Sequence, residues 1–453
     1  MNTKDNTSSV TEGQVEFLSR QWQEKIANHL PQNLEETAKK YGVIIRKRGI
    51  QSAVDLLKVM FIYTTSELSF SMLALCACSL KISKISDTAW RNKFQSCTLW
   101  LTYILYATLP HIKIPNKIPI ISRNIHLIDA SDVRRIGKDG YIARMHLSYC
   151  INMGVMDEVK VTDHHIAEGF QNFTIQENDI YIADAGYGTA IMVEYIKKMK
   201  ADCIIRITPS KIILDDDNGQ KIDMFKILKS SIINKFEINC YTRSKNKNNI
   251  IPARIICSKL PEDKIEKSKK RKLRTSQRKQ TTIKEETLLY AEWVILITTL
   301  DDSYTIDEIL TIYRSRWQVE LLFKRIKQHF RLQSIKKSSD FYSSALILLT
   351  LIIWTLVEKQ AILAELFLLN KKVDPNRISI WALCSFFYNR TTEIIGLMWT
   401  LAIDVFDENN VMLEKYLLNH KRNQEKRVNQ YTQYHLDINE KWIICYKIQE
   451  DAA

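Results

Sequence analysis

Five polar side chains between residues 313 and 327 recur at the spacing of one helix face. They are Tyr313, Arg316, Glu320, Lys324 and Lys327, in a stretch without Pro or Gly whose residues mostly favour helix. At about 100° per residue, they share a stripe roughly 80° wide. A single carboxylate among four donor groups suits a site where the acid holds a cation and the donors hold phosphate.

Residues 312–330 are predicted to form one continuous helix that carries this stripe. Apolar side chains occupy most of the remaining circumference, namely Trp317, Val319, Leu321, Leu322, Phe323 and Ile326. A helix that is apolar on several sides is packed into protein. The polar stripe is therefore expected to face a cleft.

Two further acids stand at the ends of predicted strands. Asp129 ends an otherwise uncharged strand, and Asp184 ends a buried strand just before Gly186 and Gly188. Such acids are unusual unless they are paired or bound to a cation. Each acid alone is more often a cap, a turn residue or a salt-bridge partner. Together with Glu320, they suit two Mg²⁺-type ions that promote in-line phosphoryl displacement.

The elements around these acids predict a mixed α/β sheet. Period-two patterns place strands at 124–129, 141–150, 155–162, 179–184 and 202–208, with a short helical stretch at 165–172 and a helix at 190–199. Further strand-like runs lie at 236–241, 250–257 and 293–300, between polar segments. An apolar helix is predicted at 341–369.

Charge and composition favour a polyanionic partner. The chain has 453 residues and a net charge of +14, which favours nucleic acid, although a lysine-rich coding bias gives the same excess. Nine cysteines without a C-x-x-C pair, and no signal peptide, indicate reduced thiols in a cytoplasm. The apolar run at 345–357 is too short to span a bilayer and predicts a core helix. The His164-His165 pair has no nearby cysteine, so zinc binding there is not favoured.

Two basic regions have open interpretations. The first 109 residues are helical in pattern, and helix pairs near Arg46–Arg48 and at 67–94 fit either a DNA-binding form or a generic helical region. Prolines at 110, 115 and 119 mark a domain boundary. Residues 264–284 contain ten Lys or Arg and one acid. That segment is either a solvated, partly disordered stretch or an arm that tracks phosphates.

The polar stripe also carries a resemblance to a known family. Tyr313-x2-Arg316-x3-Glu320-x6-Lys327 matches, without a gap, the Tyr-Arg-Glu-Lys signature of the bacterial cut-and-paste DDE transposases of insertion sequences. The segments LIDAS and IADAGYG, with Asp129 and Asp184, resemble the first and second Asp motifs of that family. The resemblance covers roughly residues 120–360.

The resemblance implies an α/β fold with a ribonuclease-H-like mixed-sheet catalytic core. That core would comprise 116–208 and 300–370, interrupted by a mostly β insertion with a basic segment at 209–299. Residues 1–115 would form a helical DNA-binding region, and helical residues 371–453 are the candidate dimerisation region.

The resemblance also implies the chemistry. Asp129, Asp184 and Glu320 would be the catalytic metal ligands for two Mg²⁺ ions, with Mn²⁺ as a substitute. A homodimer would bind the terminal inverted repeats of its element and hydrolyse a strand at each end, and the freed 3′-hydroxyl would attack target DNA. Several relatives pass through a DNA hairpin. The expected location is the bacterial cytoplasm, at the nucleoid, without a membrane.

The implied DNA contacts follow from the same motif. The DNA-contacting residues would be Tyr313, Arg316, Lys324, Lys327, Arg206 and Trp293. In relatives, a Trp before the Glu helix stacks on a flipped base, and Trp293 holds the matching place, although a strand Trp is as often a core residue. Two other functions stay open: a ribonuclease-H-like nuclease without strand transfer, and a domesticated DNA-binding derivative. Retention of all three acids counts against the second.

Overall fold

The computed structural model describes residues 16–17, 19–45, 49–109, 123–134, 141–243, 250–330, 340–374 and 377–403. The chain divides into two compact units. The larger unit comprises Arg20–Val43 and Lys93–Glu393, and the smaller unit comprises Met1–Ser19, Ile44–Asn92 and Ile394–Ala453. The basic triplet at 46–48, the prolines at 110, 115 and 119, and residues 404–453 of the predicted C-terminal region lie outside the described residues.

The described helices and strands alternate through the middle of the chain. The α-helices are α1 (Leu34–Lys40), α2 (Ala53–Thr65), α3 (Phe70–Ser79), α4 (Asp87–Ser96), α5 (Thr98–Thr108), α6 (Ala190–Lys198), α7 (Met224–Ser230), α8 (Glu262–Arg278), α9 (Glu285–Tyr290), α10 (Ile306–Arg314), α11 (Trp317–Phe330), α12 (Asp340–Asn370) and α13 (Ile380–Ile403). The strands are β1 (Ile125–Arg134), β2 (Tyr141–Cys150), β3 (Val155–Thr162), β4 (Ile180–Ala183), β5 (Asp202–Arg206), β6 (Leu214–Asp215), β7 (Lys235–Arg243), β8 (Ile250–Lys259) and β9 (Trp293–Thr298).

One mixed sheet organises the larger unit. Its strand order is β3-β2-β1-β4-β5-β9-β8-β7-β6. Strands β1, β4 and β5 are parallel neighbours, whereas β2 is antiparallel to both β1 and β3. On the other side, β9 pairs antiparallel with β5 and continues the sheet into β8, β7 and β6. The mixed α/β prediction is therefore confirmed.

Local patterning predicted β2 and β3 well, but two predictions near the acids were wrong. Strand β1 runs on to residue 134, so Asp129 lies inside the strand rather than at its end. Only Phe170–Asn172 of the predicted helical stretch at 165–172 is helical, as a single 3₁₀ turn. The Arg144 guanidinium and the Asn172 amide hydrogen-bond the carbonyls of residues 166 and 167, which holds a loop there instead.

The single helix predicted at 312–330 is also wrong. Helix α10 ends at Arg314, and α11 begins at Trp317 after a turn at Ser315 and Arg316. The Ser315 hydroxyl donates to the carbonyl oxygen of Ile312, and such local bonds compete with helix continuation. Tyr313 and Glu320 therefore lie on different helices.

The basic segment and the apolar helix are both ordered helices. Helix α8 spans most of the basic segment and buries none of its residues, which makes it a solvated helix. Within α12, Tyr342–Asn370 is long and apolar enough to cross a bilayer, more than the 13-residue run suggested. The most apolar stretch of that helix is 83% buried inside the protein, which is the environment of a core helix.

Candidate active site

The sheet brings Asp129 and Asp184 side by side. Strands β1 and β4 are parallel, and Leu127 pairs with Ile182. Two residues further along the same register, Asp129 lies next to Asp184 on strands about 4.8 Å apart. Each carboxylate accepts one local backbone N–H, from residue 130 at 2.8 Å and from residue 186 at 2.7 Å.

Helix α11 lies against β1 and closes a cleft over Asp129. The cleft has a volume of about 520 Å³, and its lining includes Asp129, Ser131, Glu320, Lys324 and Lys327. Asp129 and Ser131 point to the same side of the strand because side chains alternate along it. The Lys327 ammonium donates to the Ser131 hydroxyl, which ties the helix to the strand beside the aspartate.

The remaining stripe residues meet at the start of α11. Arg316 donates to Glu320 Oε1 at 2.5 Å, and its guanidinium lies 5.9 Å from the centre of the Tyr313 ring. Burial raises the pKa of Tyr313, the positive charges of Arg316 and Arg206 lower it, and the charge of Asp184 raises it. Because Arg316, Arg206 and Asp184 all act on the Tyr313 phenol, Arg206 lies near the predicted site residues.

The two aspartates are half-buried, and Asp129 has other carboxylates nearby. Burial, together with the neighbouring charges of Asp184 and Glu168, raises the pKa of Asp129 to about 7. The Ala130 N–H and the Arg316 charge oppose this shift. In the described part of the chain, neither Asp129 nor Asp184 forms a salt bridge with a basic side chain. The site therefore concentrates negative charge that a cation would neutralise.

Sequence reasoning missed two groups at this site. Burial raises the pKa of Glu168, and the charge of Asp184 raises it further. Tyr187 is fully buried, and the charges of Glu168, Asp129 and Asp184 all act on it. Glu168 lies in the loop between β3 and β4, where a lone acid gives no local signal. Tyr187 stands inside the IADAGYG segment, but its orientation depends on the fold.

Two tryptophans differ from their sequence assignments. Trp293 is 2% exposed and packs edge-on against Phe236 at 5.7 Å, which favours its core alternative over base stacking. Trp317 was assigned to the packed faces of the helix, yet it is 59% exposed. It directly follows Arg316, three residues before Glu320. An exposed indole therefore stands beside the charged stripe.

Basic side chains extend from Arg206 to helix α8. Burial lowers the pKa of Lys272, and the charges of Arg206, Arg271 and Lys211 lower it further, so this lysine of helix α8 lies near Arg206. A second cleft, of about 580 Å³, is lined by other residues of the same helix, namely Lys267, Lys270, Arg271, Arg274, Thr275 and Arg278. Helix α8 therefore presents a cluster of exposed basic side chains.

The His164-His165 pair gains an acid in the structure. The candidate ligand atoms of Asp163, His164 and His165 lie within 4.8 Å of one another. They belong to three consecutive residues of one turn, and Asp163 and His165 are exposed. We assign no metal to this exposed group.

Comparisons with known proteins define the class. Residues 125–356 match the sequence family described as "Transposase DDE domain". This match covers about half of the chain and includes both aspartates and all of helix α11, so the chain belongs to the DDE transposase family. The implied activity is that of a transposase, which acts on DNA, and the family generally uses divalent metals.

Individual relatives have low sequence identity to this chain, but the matches cover most of their length. The chain is 26% identical over 336 residues to the putative transposase InsL for insertion sequence element IS186A of Escherichia coli strain K12, covering 72% of this chain and 90% of that protein. It is also 26% identical over 337 residues to the transposase for insertion sequence element IS421 of Escherichia coli, with the same coverage.

Proposed function

We propose that this chain is the transposase of a bacterial insertion sequence. It binds the terminal inverted repeats of its element, cleaves the DNA ends and joins the 3′-hydroxyl ends to target DNA. The observation that carries this proposal is that Asp129 lies in β1 and Asp184 directly follows its parallel neighbour β4, while Glu320 lines the same cleft as Asp129. The family and the insertion-sequence relatives support the same reading.

The sheet supports a ribonuclease-H-like catalytic core. The two acid-bearing strands are parallel neighbours, and β2 and β3 extend that half of the sheet by antiparallel pairing. The segment at 209–299, proposed as the insertion, supplies β6 to β9 and continues the same sheet. The domain boundaries proposed from the sequence stay proposals.

The carboxylates suit hard divalent cations such as Mg²⁺, with Mn²⁺ as a substitute. Oxygen ligands are what these cations prefer, and Asp129, Asp184 and Glu320 are the proposed ligands. The unneutralised charge at the two aspartates supports this assignment. Two bound ions would activate a water or a 3′-hydroxyl and stabilise the leaving oxygen.

The donors of the stripe have a separate task. Arg316 is paired with Glu320, and we infer that it exchanges this carboxylate for a DNA phosphate when Glu320 takes up its ligand role. Tyr313 and Arg206 contact the same stretch of DNA phosphates as Arg316, because the charges of Arg206 and Asp184 both act on the Tyr313 phenol. Lys324 and Lys327 line the cleft beside Asp129, where they contact phosphates of the DNA backbone.

Aromatic contact with DNA is assigned to a different residue from the one predicted. We place Trp317 rather than Trp293 against the DNA, because only the former exposes its ring beside the stripe. Helix α8 contributes a basic face for the flanking duplex. Homodimerisation on DNA, specific end recognition by residues 1–115 and a cytoplasmic, nucleoid-associated location complete the proposal.

The test uses end DNA taken from inverted repeats flanking the coding region. A linear duplex with a pre-cut 3′-hydroxyl end and a supercoiled target plasmid are incubated with the full chain and Mg²⁺. Joined end–target products are expected from the wild type. They should be lost in Glu320→Gln, while end binding measured by gel shift persists.

The same assay separates the alternatives. In a parallel reaction with an uncut end duplex, a nuclease without strand transfer would cut the duplex but give no joined product. A domesticated derivative would bind the ends and give neither product. Undiminished cleavage by Glu320→Gln would refute the assignment of the third acid.

A further inference from the structure

A fourth carboxylate lies beside the paired aspartates. A Cβ atom placed on Gly186 would lie 2.6 Å from Glu168 Oε2 and 3.0 Å from Asp184 Oδ1. The two carboxylate oxygens are therefore at most 5.6 Å apart, the sum of these distances. Oxygens this close can be ligands of one divalent cation, or of two cations about 3.5–4 Å apart.

The fold holds Glu168 in this position. Its loop is fixed by two hydrogen bonds to the preceding carbonyl oxygens, from Arg144 to Ile166 at 2.8 Å and from Asn172 to Ala167 at 2.9 Å. The glutamate is half-buried rather than solvated. This loop geometry fixes a like charge next to Asp184, which is costly unless a cation is bound there.

The positive charge of Arg144 lowers the pKa of Glu168, but this guanidinium has other partners. The Arg144 guanidinium is already paired with Asp132 at 2.8 Å and donates to the loop backbone. Within the described ranges, the Glu168 carboxylate forms no hydrogen bond and no salt bridge. A role as a simple structural counter-ion is therefore disfavoured.

An independent group lies within the electrostatic influence of the same carboxylates. Tyr187 is 0% exposed, and its hydroxyl has no hydrogen-bond partner among the described residues. The charges of Glu168, Asp129 and Asp184 all act on this hydroxyl. Buried hydroxyls are nearly always hydrogen-bonded in native proteins, so this one is available to a bound group near the carboxylates.

We propose that Glu168 is a fourth carboxylate of the cation site formed with Asp129 and Asp184. Tyr187 is a positioning residue that donates a hydrogen bond to an oxygen atom of the cation's ligand group. This proposal rests on the proposed function, because it assumes a cation at the two aspartates. It adds a ligand from the β3–β4 loop to the acids found in the sequence.

The proposal makes stability and cation binding change in opposite directions. Without a cation, Glu168→Gln removes like-charge repulsion, and Tyr187→Phe removes an unsatisfied buried hydroxyl. Both variants should keep or raise the thermal midpoint measured in EDTA. Both should lose much of the additional rise that Mn²⁺ gives the wild type. A purely structural role would lower the midpoint in EDTA.

Cation affinity is measured directly by the electron paramagnetic resonance signal of free Mn²⁺, with full-length protein bound to end DNA. Glu168→Gln and Tyr187→Phe should weaken Mn²⁺ binding by about 10- to 100-fold. Asp184→Asn serves as the reference variant, because it removes a proposed cation ligand and should lose Mn²⁺ affinity. The matched control is Glu177→Gln, since that glutamate precedes β4 at the opposite strand end and is exposed in an ion pair with Lys200 at 3.2 Å. The control should bind like the wild type.

The outcomes separate this proposal from the proposed function. If Glu168→Gln binds Mn²⁺ like the wild type while Asp184→Asn does not, the fourth carboxylate is refuted and the transposase site stands. If the wild type binds Mn²⁺ no better than Asp184→Asn, the cation site itself is refuted. A lower EDTA midpoint for Glu168→Gln also overturns the proposal.

Discussion

A buried histidine in β1 should make the stability of the sheet depend on pH. His126 is 6% exposed, and its ring stacks on Tyr181 with centroids 4.8 Å apart. Its Nδ1 lies 2.7 Å from Asp157 Oδ2, and its Nε2 lies 2.9 Å from Asp179 Oδ2. Both ring nitrogens face a carboxylate, so both donate when the imidazole is protonated.

The expected size follows from the pKa of this ring. Burial lowers the pKa of His126, but hydrogen bonds to Asp157 and Asp179 outweigh burial and raise it from 6.5 to about 9. At 1.36 kcal/mol per pKa unit, the protonated ring stabilises the fold by about 3 kcal/mol. Because the folded-state pKa is the higher one, this contribution is complete below pH 6.5. It falls as the pH rises and is lost above about pH 9.

Urea unfolding of the full chain, followed by circular dichroism between pH 6 and 9.5, measures this effect. The stability difference between the wild type and His126→Gln should shrink by about 3 kcal/mol across that range. His146→Gln is the matched control. Burial lowers the pKa of His146 to about 4, so that ring is neutral throughout. A wild-type advantage over His126→Gln that stays constant with pH would refute the reasoning.

Four further substitutions test the site and its support. Gly188→Ala should reduce the folded yield, because its Cβ would lie 2.7 Å from the backbone oxygen of Arg206; a normal thermal midpoint would contradict this. Lys327→Ala should reduce the salt dependence of end-DNA binding by about one phosphate contact, measured as the slope of log K against log salt, and an unchanged slope would exclude a phosphate role. Trp317→Ala should weaken DNA binding with an unchanged thermal midpoint, whereas Trp293→Ala should lower the midpoint by destabilising the core by about 3–5 kcal/mol. The reverse pattern would restore the base-stacking role to the strand tryptophan.

Much of the sheet could be predicted from local patterning. The alternation of apolar and polar residues gave β2 and β3 their bounds, because side chains alternate between the faces of a strand. Gly154, with a φ of +66°, supports the turn that separates them. The strand order was not readable from the sequence, since pairing joins β1 to β4 across more than 50 residues.

The break between α10 and α11 shows a limit of helical periodicity. Residues at 313, 316, 320, 324 and 327 keep their spacing in sequence whether or not the helix is continuous. Helix propensity did not predict the turn at Ser315, where a short side-chain bond to the backbone competes with the helix. The turn leaves Arg316 between the two helices, paired with Glu320.

The sequence by itself determined the chemistry that this protein has available. Residue spacing singled out Glu320 and its donor neighbours, because helix geometry acts over a few residues, and the predicted strand positions singled out Asp129 and Asp184 as candidates. Only the tertiary structure decided which distant groups share the site. It brought Glu168 and Tyr187 to the aspartates, exposed Trp317 and buried Trp293. The physical reason is that burial and proximity depend on non-local packing, which a lone acid or aromatic in a loop does not reveal.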